Sequence, residues 1–430
     1  MAFLGIMLFI MMLSKPIDRS PVSGSEIERM AMDSILEAKV FTYDDTLSPK
    51  VAYGRVNITP DDPMPMAGYS RRDAFEEVHD SLYVHLMLIR KAGLDLFLVS
   101  ADLLIFPDEL RDLLISSTAD EPNTHLYLSA SHTHNGLGGW AEGFGGELIA
   151  GDFHPEWLDA VSSSILREMV EMRERTESST LRYFETDASE FVKNRLVEGA
   201  PVDGKIRGLK ITRQEGDSLV LFTYSGHPTL LDRESLELSN DYPGATIRRL
   251  ENRGYAFAMF MAGMVGSHRI TNVEGTGYDR INNLADKLSD RILRANGMPL
   301  RPADIRLMNF EIPFGPSQVR LMKGLAARDW LFSSLLQPLQ GTMDVVRMGG
   351  LYMVSTPCDF SGELFPGIDQ KYKPMIITSF NGDYIGYITE DSHYDSSSYM
   401  EVMTMNWVGP HYGSHFQHMI NTAAGRAGHK

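Results

Sequence analysis

The sequence predicts an α/β fold of mixed β-sheets flanked by helices. Two observations carry this expectation. Short apolar runs rich in β-branched and aromatic residues alternate with helix-period segments along all 430 residues. No long Pro/Ser-rich linker and no internal repeat breaks the alternation, so one layered domain is expected from about residue 26 to residue 430.

Residues 27–40 have helical spacing and are expected to pack against the body of the domain. A strand at 51–58 runs into the turn-rich TPDDPMPMAG at 59–68. Strands are predicted at 82–88 and 96–100, the second delivering Asp102 just past its end. A short helix at 107–116 and a longer one at 157–175 come next; in the latter Leu158, Val161, Ile165, Leu166 and Met169 form an apolar stripe. Strands at 206–212 and 218–224 pair across the Glu215-Gly216 turn. Helices at 245–253 and 278–295 bracket a strand at 256–261. Strands are predicted at 305–312, 343–348, 351–356 and 375–380, with a helix at 360–373.

Residues 1–25 stand apart. Ala2 to Leu13 is an apolar run too short to span a bilayer as a helix. Its length fits the hydrophobic region of an export signal, without a basic residue before it or a small-x-small site close after it. The expectation is a signal- or anchor-like segment, cleaved or retained, in an exported protein: secreted, periplasmic or membrane-anchored. Membrane association would then run through this segment. A mis-assigned start or an apolar tail is the alternative.

Charge excludes one class of partner. With 57 acidic against 40 basic residues the formal charge is −17, which gives no basic footprint for nucleic acid. It also disfavours electrostatic docking on anionic lipid. One cysteine, Cys358, allows no intrachain disulfide.

The most informative stretch is SASHTHNGLGG at 129–139. A strand pattern at 125–131 ends in a glycine-rich loop, and residues two apart in an extended chain share a face. His132 and His134 therefore project together from a strand end, which is what a zinc hydrolase needs from one segment. A second apolar strand, 219–224, delivers His227 into a turn, with Pro228 holding the histidine backbone extended. A third, 353–356, leads to Cys358-Asp359-Phe360-Ser361-Gly362-Glu363, where Glu363 is either an oxygen ligand or a first-turn helix glutamate. Spacing alone leaves the ligand set open.

HTHNGLGG resembles the HTHSGPGG signature of the neutral/alkaline, non-lysosomal ceramidases. The resemblance continues in order: YGRVNITPDDPMPMAG at 53–68, VHDSLY at 78–83, VSADLL at 99–104, NDYPG at 240–244, NGDYIGY at 381–387 and YDSSSYME at 394–401. It covers about residues 50 to 415 and implies a ceramidase-like catalytic domain over 26–430, a zinc amidase that cleaves N-acyl bonds in sphingolipids. The family's two histidines, glutamate and tyrosine on zinc fall on His132, His227, Glu363 and Tyr399. The second histidine of the motif, His134, would face the scissile carbonyl. The family's active-site arginine falls on Arg195 in Lys193-Asn194-Arg195, and its pocket tyrosine on Tyr412 in Gly409-Pro410-His411-Tyr412. A metal with an open position lowers the pKa of bound water from ~16 to about 7, leaving oxyanion stabilisation to His134 and Arg195.

Two departures stand out. The family's serine segment aligns with Ala262-Gly263-Met264-Val265-Gly266-Ser267, where the serine position falls on Gly266 and Ser267 fits only with a shift of one residue. The C-terminal sandwich domain of the longer members has no counterpart in 430 residues. Three readings therefore stand: an amidase on ceramide or a related N-acyl lipid, a zinc hydrolase of a small soluble amide or ester, or a binder without chemistry. Apolar residues at the mouth of the site would favour a lipid.

Overall fold

The computed structural model describes residues 12–300, 304–336, 338–396 and 404–428. Along the chain the strands of the two main sheets are β1 (Phe41–Asp44), β2 (Lys50–Asn57), β3 (Tyr83–Lys91), β4 (Leu94–Ala101), β5 (Thr124–Ala130), β6 (Glu177–Asp187), β7 (Lys205–Arg213), β8 (Ser218–Tyr224), β9 (Phe257–Ala262), β10 (Met298–Leu300), β11 (Asp304–Glu311), β12 (Thr342–Met348), β13 (Leu351–Thr356) and β14 (Met375–Ser379). The principal helices are α1 (Glu26–Glu37), α2 (Asp108–Ser117), α3 (Gly143–Ala150), α4 (Pro155–Glu174), α5 (Asp241–Asn252), α6 (Gly277–Arg294), α7 (Asp329–Leu335) and α8 (Tyr412–Gly428).

Nine strands form one sheet in the order β9-β8-β7-β6-β2-β3-β4-β5, with β10 on β6. Five form the other, β1-β11-β12-β13-β14. Only three neighbouring pairs in these sheets are parallel: β4 with β5, β8 with β9, and β13 with β14. The sheets pack face to face and helices cover both outer faces. Strand alternation shows how. In β3, Met87 and Ile89 join the apolar layer between the sheets, while Leu86 and Leu88 pack outward with Leu158, Val161 and Ile165 of α4. In β12, Val346 and Met348 face the first sheet, while Met343 and Val345 pack outward with Phe416, Met419 and Ala423 of α8. Burial on both faces is why these strands read as continuous apolar runs.

Most predicted elements form within a few residues of their expected bounds. Ser25 caps α1, its Oγ accepting from Glu28 N. The helix predicted at 360–373 does not form. That stretch is a two-residue strand, Asp359–Phe360, and two short 3-10 turns, Gly362–Gly367 and Gln370–Tyr372. Gly362, Pro366 and Gly367 deny it a continuous helix. Six of the named elements, β1, β6, β10, α3, α7 and α8, have no counterpart among those predicted from the sequence. Ser14–Pro16, inside the segment set apart as leader-like, pairs with Leu325–Ala327, and Ile17 and Val22 are buried. Among the described residues no helix is long and apolar enough to cross a membrane.

Candidate metal centre

The carboxyl ends of the parallel strands meet in one place. β5 and β14 are tied together there, Tyr127 Oη to Thr378 Oγ1 at 2.8 Å and Ser129 Oγ donating to the Ser379 carbonyl at 2.9 Å. Two residues beyond β5 the chain turns sharply at His132, whose φ is +63°. The His132 ring stacks on Phe380, centroids 4.1 Å apart. His227 arrives from the end of β8 as predicted. Gly68 lies against the backbone of His134, where a Cβ would come within 2.5 Å of the His134 carbonyl oxygen; its φ of +127° is a further reason for glycine.

His132, His134 and His227 converge. Their Nε2 atoms are 3.0 Å (132 to 227), 2.9 Å (134 to 227) and 3.4 Å (132 to 134) apart. His132 Nδ1 lies 2.6 Å from the Leu104 carbonyl and His227 Nδ1 3.4 Å from the Val265 carbonyl. A carbonyl only accepts, so both Nδ1 atoms carry a hydrogen, and in the neutral rings both Nε2 atoms present lone pairs. Two lone pairs aimed at each other at 3.0 Å repel unless a cation lies between them. Imidazole nitrogens sit ~2.0–2.1 Å from zinc, and tetrahedral ligands at that distance are about 3.3 Å apart. The triad fits this spacing, and the three buried histidines can hold a metal ion.

The carboxylate facing them is Asp359. Its Oδ1 stands 3.3 Å from His132 Nε2 and has no hydrogen-bond partner among the described residues. Its Oδ2 accepts from Tyr384 Oη at 2.7 Å. Asp359 is fully buried and opens the two-residue strand Asp359–Phe360, which pairs with Tyr387–Ile388. An orphaned carboxylate oxygen beside three converging imidazoles completes a donor set suited to a divalent cation. Electrostatics agree: burial first, and then neighbouring histidines and Arg195, hold His134 and His227 well below the ordinary histidine range. That direction favours the neutral ring that metal ligation requires.

Glu363 is not at this point. Its carboxylate accepts from Asn194 Nδ2, from His393 Nδ1 at 3.0 Å and from Glu390 N at 3.3 Å. The resemblance placed the oxygen ligand on Glu363, whereas the carboxylate that faces the histidines lies four residues earlier. Asp359 went unchosen for want of an obvious motif; its place three residues past β13 was the available signal. Tyr399 lies outside the described residues.

The remaining candidates separate. Arg195 lies beside the site, donating to the Gly266 carbonyl (Nε 3.3 Å, Nη2 3.2 Å) and from Nη2 to Tyr387 Oη at 2.8 Å. Ser267 is fully buried and does not reach the cavity wall; its Oγ has no partner among the described residues. Gly266 cannot carry a side chain, since a Cβ there would lie 2.3 Å from the Asp359 carbonyl oxygen. Tyr412 opens α8 away from the histidines, packed on Phe314 and accepting from Gly315 N at 3.3 Å. Among the described residues the tyrosines that do line the site are Tyr69, whose ring centroid is 5.0 Å from that of His134, Tyr384 and Tyr387. Asp102 and Asp241 serve backbone turns, accepting from Tyr83 N and Leu230 N.

His132, His134 and Asp359 line a cavity of about 760 Å³, and His227 lies behind them. Its wall is largely apolar: Ile105, Trp140, Phe144, Phe332, Leu336 and Trp407 all contribute. Glu109, on the same wall, has its pKa raised by burial and then by Asp108.

No family model matches the sequence, and no curated protein matches it. Solved structures do. The neutral ceramidase from Pseudomonas aeruginosa superposes with a TM-score of 0.71 at 15% identity, over 89% of this chain and 75% of that one. A ceramidase complexed with C2 superposes equally well, at 14% identity over 88% and 75%. The chain has the neutral ceramidase fold. This agrees with the resemblance seen along the sequence, and the ceramidase fold brings His132, His134 and His227 together from two distant segments.

Proposed function

We propose that the protein is a zinc-dependent amidase acting on the N-acyl bond of ceramide or a related N-acyl lipid. The observation that carries this is the set of three buried, mutually facing imidazole nitrogens, two of them lining a large apolar-walled cavity, on a ceramidase fold. His132, His227 and Asp359 would hold the metal, with His134 either a fourth donor or facing the scissile carbonyl. A zinc ion held there supplies Lewis acidity, polarising a carbonyl and bringing the pKa of water from ~16 to about 7. The chain supplies the rest. Tyr384 orients Asp359, Arg195 places fixed positive charge beside the histidines, and Tyr387 carries that polarity to the cavity wall. Such donors stabilise a developing oxyanion in proportion to how well they are placed beforehand.

The wall favours a lipid over a small soluble amide: Trp140, Phe144, Phe332 and Trp407 offer a long acyl or alkyl chain an apolar path. We place the protein outside the cytoplasm, with the apolar run at 2–13 as its export or anchoring segment. The test is release of fatty acid from an N-acylsphingosine panel with and without chelator, together with metal analysis. Chelator-sensitive release and about one zinc per chain are expected. Metal-free, inactive protein would point to a binder, and turnover confined to short soluble amides would exclude the lipid reading.

A further inference from the structure

Exposed large apolar side chains are unevenly spread over this protein. Phe144 (71% exposed) and Leu148 (57%) sit one helical turn apart on α3. Trp330 (53%) and Leu335 are exposed on α7. Leu321 and Met322 are exposed on the strand Arg320–Met322, which turns at Lys323-Gly324 into Leu325–Ala327. These elements are neighbours. Gly145 of α3 lies against the backbone of Leu335, and the hairpin runs straight into α7. Phe144 and Leu335 also line the cavity, so they stand at its mouth.

The end of the N-terminal apolar run reaches the same place. Ser14–Pro16 forms the third strand beside Leu325–Ala327, and the Leu13 carbonyl accepts from Arg328 N at 3.0 Å, at the start of α7. Met12, before it, is exposed.

We propose that the α3–α7 rim and the hairpin tip at Leu321-Met322 form a surface that docks on a lipid bilayer, with the cavity mouth opening onto it. A patch of this kind rimmed by polar groups marks an interaction site. Three features favour a bilayer over a protein partner. The patch surrounds the mouth, where a protein partner would seal the cavity and a bilayer would supply it. The exposed Lys323 at the hairpin tip sets an amphipathic cation beside two apolar residues, the arrangement of an interfacial segment. Met12 and Leu13, the described end of the N-terminal apolar run, reach the same face. The net charge of −17 favours a zwitterionic bilayer over an anionic one. The inference rests on the lipid-amidase reading only for what enters the cavity; docking itself can be measured without turnover.

Trp330 is the reporter, because Trp140 and Trp407 are buried and Trp157 is only partly exposed. The full chain, loaded with zinc or stripped of it, is mixed with phosphatidylcholine vesicles carrying brominated acyl chains. The Trp330 signal is taken as wild type minus Trp330→Phe. Quenching of at least half of it is expected in both metal states. The variant Leu148→Ser/Leu321→Ser/Met322→Ser is expected to weaken vesicle binding at least tenfold, whereas the control Leu36→Ser/Val170→Ser, exposed residues on α1 and α4, leaves it unchanged. No quenching of Trp330, equal weakening by the control, or self-association through this face without vesicle binding would each overturn the proposal. Docking without hydrolysis would instead count against the amidase reading alone.

Discussion

His132 and His227, 95 residues apart in sequence, face each other through their Nε2 atoms at 3.0 Å while each ring's Nδ1 is turned to a backbone carbonyl. Two imidazole nitrogens facing each other at this distance leave room for a cation as their shared partner. His132→Ala is expected to leave the purified chain with well under one metal per molecule and to reduce hydrolysis by at least about 100-fold, since even outer partners of metal ligands are worth ~10–100-fold. Elemental analysis beside the activity assay checks it. Full metal content in the variant would remove the histidine pair from the centre.

Asp359 and Glu363 make a sharper comparison. Asp359→Asn is expected to weaken metal binding at least about tenfold. Glu363→Gln should leave affinity within about threefold. It should lower stability by ~1–3 kcal/mol, because it breaks hydrogen bonds to a buried charged group. Metal titration and thermal unfolding of both variants separate the roles, and a reversed pattern would restore Glu363 as the ligand.

The Glu363–His393 pair predicts a pH dependence. Its hydrogen bond to Glu363 raises the His393 pKa above the ordinary 6.5. That contribution is complete below 6.5 and fades as pH rises through the folded-state value. The Glu363 pKa is lowered below the ordinary 4.5, with burial opposing the change and His393, Glu390 N and Asn194 outweighing it. Its contribution is complete above 4.5 and fades as pH falls through the folded-state value. The stability difference between wild type and His393→Gln should therefore be widest between 4.5 and 6.5 and shrink on both sides. A difference independent of pH would mean that no charge pair forms.

Arg195→Ala is expected to lower kcat by two to three powers of ten, ~3 kcal/mol, with a smaller change in KM. Arg195→Lys should recover part of the loss by keeping the charge without the planar fork. A change confined to KM would make Arg195 a binding residue.

The serine segment yields opposite outcomes at adjacent positions. Ser267→Ala is expected to keep activity within about twofold, because the hydroxyl does not reach the cavity. Gly266→Ser is expected to cost ~1–3 kcal/mol of stability by forcing a side chain against the Asp359 carbonyl. Loss of turnover in Ser267→Ala with the fold and metal intact would return Ser267 to the chemistry.

Much of the fold was legible in the chain itself. Apolar runs buried on both faces marked β3, β4 and β8, because two-sided burial leaves no polar alternation to confuse. His132, His134 and His227 were legible because each lies just past such a strand. The three-glycine helix Gly143–Ala150, which builds the cavity rim, was not, since glycine spoils the helical pattern and its packing partner α7 lies about 180 residues away.

Sequence alone determined the α/β layering and which strand ends present imidazoles, because both depend on local periodicity and on the residue that comes after each strand. Tertiary structure alone decided that Asp359 rather than Glu363 faces the histidines, that Ser267 and Tyr412 lie away from the cavity, and that α3 and α7 meet at its mouth. Those outcomes depend on where a carboxylate or hydroxyl points after two sheets have closed over each other, and spacing along one chain carries no information about that closure.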